Sequence, residues 1–99
     1  MIIIQAEDGA IVTDPKEIYI DKDLEGHLHI YADLSSTDRI KAVKLTVFDY
    51  SKEDLGQMLE TMYKRMSDWL FLNECPHCAV RMGEVLDMAK QDRREASDD

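Results

Sequence analysis

The sequence predicts a single α+β domain in which an antiparallel β-meander of about five strands packs on a C-terminal helical hairpin. The first observation behind this prediction is a period-two alternation of apolar and polar residues between the N-terminus and Tyr50. The second is a switch to a helical period of about 3.6 residues after Ser51. The third is size, since 99 residues provide one modest core. We expect residues 1–90 to form the domain and residues 91–99, which lack large apolar side chains, to form a charged, frayed tail.

The first three strands are marked by β-branched runs and turn residues. Ile2-Ile3-Ile4 and residues 10–13 flank the turn dipeptide Asp8-Gly9, and this pattern predicts a first hairpin. Asp14-Pro15 then interrupts the chain, because the proline ring fixes φ and biases the preceding residue away from the helical region. Residues 17–21 alternate again and predict a third strand.

The fourth and fifth predicted strands follow a polar turn at residues 22–26. Residues 27–34 place apolar side chains on one face of a strand and direct His27 and His29 to the other face. After a loop, residues 39–50 resume the alternation and supply the fifth strand. A sheet with one apolar face needs a second layer, and the helices that follow are the expected cover.

Two amphipathic helices are predicted in the second half. Ser51 is a good N-cap for the first, whose apolar stripe consists of Leu55, Met58, Leu59, Met62, Met66, Trp69 and Leu70. The second helix is expected to begin with Cys75 at the cap and Pro76 at the first helical position. Its apolar side consists of Cys78, Met82, Val85, Leu86 and Ala89. A short link between the two helices predicts that they pack as a hairpin.

Composition and charge restrict the environment and the partners. Apolar residues make up 44% and charged residues 33% of the chain, and no apolar run approaches the length of about 20 residues that crosses a membrane. The N-terminus lacks the features of a signal peptide, so we expect a cytoplasmic protein. The formal net charge of −9 repels phosphate, which argues against direct binding to nucleic acid and favours a basic protein as partner.

The motif Cys75-Pro76-His77-Cys78 contains both cysteines of the chain. Its spacing brings two sulfur atoms within reach of each other, as in half of a tetrahedral metal site. His27 and His29 could complete the set, so a structural zinc site formed by Cys75, Cys78, His27 and His29 is one alternative function, and zinc the alternative cofactor. Two copies of the motif could also join across a homodimer to form a four-thiolate site.

The same tetrapeptide resembles the active-site motif of the thiol oxidases in the thioredoxin superfamily. This resemblance implies a Cys75 thiolate stabilised by a helix N-terminus and by the neighbouring His77. Too few residues follow Cys78 to complete a thioredoxin fold, so a small thiol redox protein is the second alternative. The sequence shows no other catalytic signature, and we do not expect an enzyme.

A second resemblance concerns the strands and the first helix. The segments IVTDPKEIYIDKDLEGHLHIYADL and VKLTVFDYSKEDLGQMLETMYKRM, within residues 11–66, resemble small uncharacterised proteins of Gram-positive bacteria and their phages. The resemblance implies a strand meander followed by a helix, and an origin in a phage or mobile element. Together with the acidic charge it leads to our first hypothesis, a non-catalytic protein-interaction module that binds and inhibits or regulates a basic host protein.

Overall fold

The computed structural model describes residues 1–34, 42–72 and 76–97, and it confirms an α+β fold. No helix in these ranges is long and apolar enough to cross a membrane. The helix α2 includes residues 91–97, while the fraying of residues 91–99 stays a prediction. The elements follow in the order β1 (Ile2–Gln5), β2 (Ile11–Thr13), β3 (Glu17–Lys22), β4 (Leu28–Asp33), β5 (Ala42–Lys44), α1 (Lys52–Leu72), β6 (Cys78–Arg81) and α2 (Met82–Ser97).

The strands form two three-stranded sheets. In the first sheet, β1 is central and pairs antiparallel with β2 and parallel with β6. In the second sheet, β4 is central and antiparallel to both β3 and β5. The predicted β1–β2 hairpin is therefore confirmed. The predicted meander of about five strands is confirmed only in part, because its strands are divided between the two sheets and only β3–β4–β5 forms a continuous meander. At the end of β2, the side-chain Oδ1 of Asp14 accepts a hydrogen bond of 2.7 Å from the N–H of Ile2 in β1.

The segment after α1 differs most from the sequence prediction. The predicted helix start at Cys75-Pro76 is wrong, because α2 begins at Met82 and is preceded by β6. Cys78 and Val80 are buried and alternate with exposed neighbours, as expected of a strand that lies beside β1. The two helices contact each other, but a strand separates them in the chain, so the predicted helical hairpin is not confirmed. Cys75 itself lies outside the described residues.

Helix α1 begins and packs as its sequence predicts. The Ser51 hydroxyl accepts a hydrogen bond of 3.1 Å from the Asp54 N–H, which is the geometry of an N-cap. The stripe is buried at Leu55, Met58, Met62 and Met66 and partly buried at Leu59 and Trp69. Leu70 departs from the prediction, since 67% of this residue is exposed.

One continuous core joins the two sheets and the two helices. Ile4 and Val80 contribute from the first sheet, Ile18 and Ile30 from the second, and the α1 stripe packs against them. Because alternate residues of a strand point to opposite faces, the even-numbered apolar residues of β3 and β4 turn toward this core: Ile18, Ile20, Leu28, Ile30 and Ala32. Their odd-numbered neighbours lie on the outer face of the second sheet.

Candidate functional site

The outer face of the second sheet carries a group of acidic and aromatic side chains. The strand register places Glu17 opposite Asp33, Tyr19 opposite Tyr31 and Asp21 opposite His29. Lys44 of β5 lies opposite Tyr31 on its other side, so Tyr19, Tyr31 and Lys44 form one row across the three strands. We call the surface formed by Glu17, Tyr19, Asp21, Tyr31 and Asp33 the acidic tyrosine face.

The two tyrosines of this face stack on each other. Their ring centroids are 5.9 Å apart and the ring planes differ by 21°. Such cross-strand aromatic pairs stabilise a sheet by about 0.2–1 kcal/mol. Both rings are only partly buried, so the pair also presents a rigid apolar platform at the surface. An open cavity of about 370 Å³ lies beside the platform, and its lining includes Tyr19, Tyr31, Asp23 and the fully exposed Leu24.

The electrostatic field at this face is negative. The pKa of Tyr19 is raised above its ordinary value, first by burial and then by the charges of Asp33, Asp21 and Glu17. The pKa of Tyr31 is raised by burial and by Asp23 and Asp21. Both phenols therefore stay neutral near pH 7, and the face offers uncharged rings surrounded by carboxylates.

A buried polar network supports one end of the face. The His29 Nε2 lies 3.2 Å from the Asp23 Oδ2, and the His29 Nδ1 lies 2.9 Å from the Thr46 hydroxyl. Thr46 also accepts a hydrogen bond of 3.3 Å from the Ile30 N–H. We assign the proton of the imidazole to Nε2, because Nε2–H then donates to Asp23 while Thr46 donates to Nδ1. Among the described residues, no buried side-chain polar atom lacks a partner.

Asp23 connects this network to the hairpin turn between β3 and β4. Its second oxygen, Oδ1, accepts hydrogen bonds of 2.9 Å from the N–H groups of Glu25 and His27. Burial acts to raise the pKa of this carboxyl, but the two backbone hydrogen bonds, with a smaller effect of the nearby His27 and His29 rings, outweigh burial, so the pKa of Asp23 is lowered. The ionised carboxylate therefore holds the turn, which confirms the sequence interpretation of residues 22–26 as a hairpin turn.

The order Thr46, His29 and Asp23 has the connectivity of a catalytic triad, but its environment differs from one. Thr46 is fully buried, and its oxygen already accepts from the Ile30 N–H. A nucleophile needs access to a substrate carbonyl and a nearby oxyanion site. The network therefore supports a structural role: it joins the β3–β4 turn to the segment after β5.

The residues of the predicted zinc site lie in different surroundings. His27 is exposed and lies 3.0 Å from the Asp49 carboxylate, whereas His29, expected on an exposed strand face, is buried in the network with Asp23. Cys78 belongs to the other sheet and is a free, buried thiol. In the three described ranges of the chain, no group of three or more His, Cys, Asp or Glu side chains is arranged to hold a metal ion. Because Cys75 lies outside those ranges, its part in a metal site stays a prediction.

Cys78 also lacks the surroundings of a reactive thiol. Burial raises the pKa of its thiol, and the opposing effects of Arg65 and the N-terminal ammonium group are smaller. The protonated form is the poorer nucleophile and the poorer metal ligand. Cys78 contributes to the core through its contact with the strand β1.

The acidic tyrosine face was within reach of sequence reasoning, but its central pair was missed. A turn at residues 22–26 fixes the hairpin register, and that register places Tyr19 opposite Tyr31. The role of Asp23 carried a weaker signal, an aspartate at the start of a tight turn. No local signal pointed to Thr46, which reaches His29 only through the folding of β5 against β4.

A second carboxylate network, centred on Glu7, fixes the segment between β5 and α1. Its contribution to stability depends on pH. Glu7 accepts a hydrogen bond of 2.8 Å from the Val47 N–H and one of 2.5 Å from the Tyr50 hydroxyl. Burial, followed by this hydrogen bond and the charge of Glu7, raises the pKa of Tyr50 far above its ordinary value. The protonated phenol is the form that the fold favours. Its contribution to stability is therefore complete below a pH of about 10 and is lost as the pH rises through the folded-state pKa.

We expect the phenolate absorbance of Tyr50 to appear at higher pH than that of an ordinary tyrosine. The signal of Tyr50 is the difference between the alkaline titrations of the native protein and Tyr50→Phe. Glu7→Gln retains a hydrogen-bond acceptor but removes the charge, so it should lower the pKa of Tyr50. A Tyr50 titration at the ordinary value in the native protein, or one unmoved by Glu7→Gln, would contradict the prediction.

No protein-family model matches the chain, and no curated protein or solved structure is significantly similar to it.

Proposed function

We propose that this chain is a non-catalytic protein-interaction module that binds a basic, extended segment of a partner protein on the acidic tyrosine face. The observation that carries the proposal is the stacked pair of Tyr19 and Tyr31, which lies between the Glu17–Asp33 pair on one side and Asp21 on the other. Tyrosine provides a large, rigid contact area at low entropic cost. The face of its ring attracts an Arg guanidinium or a Lys ammonium group, and the flanking carboxylates can pair with the same cation.

Charge determines which partner fits this face. On the face and in the adjoining cavity, the carboxylates of Glu17, Asp21, Asp23 and Asp33 outnumber the cations Lys22 and Lys44. A second copy bound symmetrically through the same face would bring like charges together, so we do not expect the homodimer to form there. A basic protein is complementary, and the net charge of −9 would accelerate its association with the chain.

The biological setting that we propose rests on the resemblance to small proteins of Gram-positive bacteria and their phages. It suggests an accessory protein of a phage or mobile element that inhibits or regulates a basic host protein in the cytoplasm. The zinc and thiol redox alternatives now depend on Cys75, because Cys78 is buried in β6. No contact of the described residues favours either alternative over binding of a basic segment.

The proposed binding can be tested with a defined peptide. The probe is a fluorescently labelled peptide in which arginine alternates with threonine, and the measurement is fluorescence anisotropy. We expect Tyr31→Ala to weaken binding by about thirtyfold, equivalent to about 2 kcal/mol, because it removes half of the ring platform. Binding should also weaken as the salt concentration rises from about 50 mM to about 500 mM, because the carboxylates of Glu17 and Asp21 are exposed to screening.

Matched variants separate this face from the general acidity of the chain. Phe48→Ala removes an exposed aromatic residue elsewhere and should leave peptide binding unchanged. The pair Glu17→Gln and Asp21→Asn should weaken binding more than the pair Glu60→Gln and Asp68→Asn, which removes the same charge from helix α1. Equal losses of peptide affinity in the two charge pairs would show that the peptide binds only through net charge. Equal losses for Tyr31→Ala and Phe48→Ala would show that the tyrosine platform makes no specific contact. Either result would overturn the proposal.

A further inference from the structure

A second surface feature has the opposite charge to the acidic tyrosine face. Arg65 of α1 and Arg81 of β6 line the same cavity, which has a volume of about 240 Å³. Glu84 also lines it, while Val80, Ala79 and Met88 provide the remaining wall. The charged side chains of this lining carry a net charge of +1 in a chain whose total is −9. We call this feature the arginine cavity.

The two guanidinium groups have few strong acceptors within the described part of the protein. Arg81 forms an ion pair with the Glu84 carboxylate at 3.8 Å, and both side chains are well exposed, at 70% and 65%. An ion pair of this length and exposure contributes little. Arg65 donates to the thioether sulfur of Met88 at 3.7 Å, and a thioether is a weak acceptor. Among the described residues, these two contacts leave most of the guanidinium N–H donors of the cavity without a strong acceptor.

The positions of these arginines are fixed by the fold. Arg81 is the last residue of β6, and the adjacent residues of that strand form the floor of the cavity. Arg65 reaches the cavity from α1, and its contact with Met88 of α2 connects the two helices. The Arg65 charge also acts on Cys78 at the other end of β6, where it opposes the rise in pKa that burial causes.

We infer that the arginine cavity binds a small oxyanion, a carboxylate or a phosphate group, between Arg65 and Arg81. The planar fork of each guanidinium matches two oxygen atoms of such a group. The wall formed by Ala79 and Met88 accommodates the apolar part of an organic acid or ester. Glu84 competes with the ligand for Arg81, because its carboxylate is the nearest anion in the cavity.

The inference is tested by titrating the protein with inorganic phosphate and, in parallel, with acetate while amide NMR signals are followed. Ionic strength is held constant with sodium chloride. We expect shifts concentrated at Ala79, Val80, Arg81 and Glu84. Tighter binding of phosphate would assign the site to phosphate groups, and tighter binding of acetate would assign it to carboxylates. Shifts that chloride alone reproduces would mean an adventitious ion only and would overturn the inference.

Two kinds of variant are expected to change the affinity for the oxyanion in opposite directions. Arg65→Gln and Arg81→Gln should each weaken oxyanion binding about tenfold or more, because each removes a charge-assisted hydrogen-bond donor. Glu84→Gln should strengthen binding several-fold, because it removes the competing anion. Lys64→Gln is the control, since it removes an equal charge from the residue next to Arg65 and should have little effect. Equal weakening by Lys64→Gln and Arg65→Gln would overturn the inference, provided that thermal unfolding shows each variant to be folded.

Discussion

Ile4→Ala is expected to lower the free energy of unfolding by about 2–5 kcal/mol, since it removes a fully buried side chain from a packed core. Ile4 lies at the centre of the first sheet, opposite Val12 on one side and Val80 on the other. The cavity left behind therefore affects three strands at once. For a domain of this size, each kcal/mol corresponds to a fall of about 4–8 °C in Tm. Chemical denaturation with urea measures the loss directly.

The neighbouring residue provides the matched control. Ile3 is of the same type and lies in the same strand, but it points to the opposite face and is only partly buried. Ile3→Ala should therefore cost clearly less than Ile4→Ala. If both variants lost the same stability, the assignment of faces in β1 would be wrong. If Ile4→Ala hardly changed the free energy of unfolding, the pairing of β1 with β6 would be wrong.

Some elements of this fold have a local sequence signal and others do not. Helix α1 was predictable because its apolar stripe repeats over 21 residues and Ser51 marks its start. The β3–β4 hairpin was predictable because two alternating runs flank a turn. The strand β6 was not, because a run of four residues that contains Cys78 and Val80 fits a helix or a strand equally well. Its strand character comes from pairing with β1, at the other end of the sequence.

The candidate site shows the same limit on a smaller scale. Strand alternation places His27 and His29 on one side of β4, and this made them a plausible pair of metal ligands. Their actual partners, Asp49 and Thr46, come from the segment after β5 and could not be read from the spacing of the histidines. The aromatic pair is different, because the turn register alone brings Tyr19 to Tyr31.

Thr46→Val is expected to destabilise the protein by about 1–3 kcal/mol, because it replaces the hydroxyl by a methyl group of similar size. The loss of the hydroxyl leaves the His29 Nδ1 and the Ile30 N–H without their partner, and both belong to a buried part of β4. Thr13→Val makes the same chemical change at an exposed strand position and should have little effect.

A double-mutant cycle then tests whether the network acts as a unit. His29 links Asp23 to Thr46, so Asp23→Asn combined with Thr46→Val should cost less than the sum of the two single changes. Once the imidazole has lost one partner, it no longer holds the other in a fixed position.

Strict additivity of the two losses of stability in urea denaturation would mean that the two contacts are independent. In that case the β3–β4 turn would not depend on the segment after β5, and Thr46→Val would leave the acidic tyrosine face unchanged. Coupling, by contrast, would connect the buried network to the surface: Thr46→Val should then weaken binding of the arginine peptide even though Thr46 is too deeply buried to touch it.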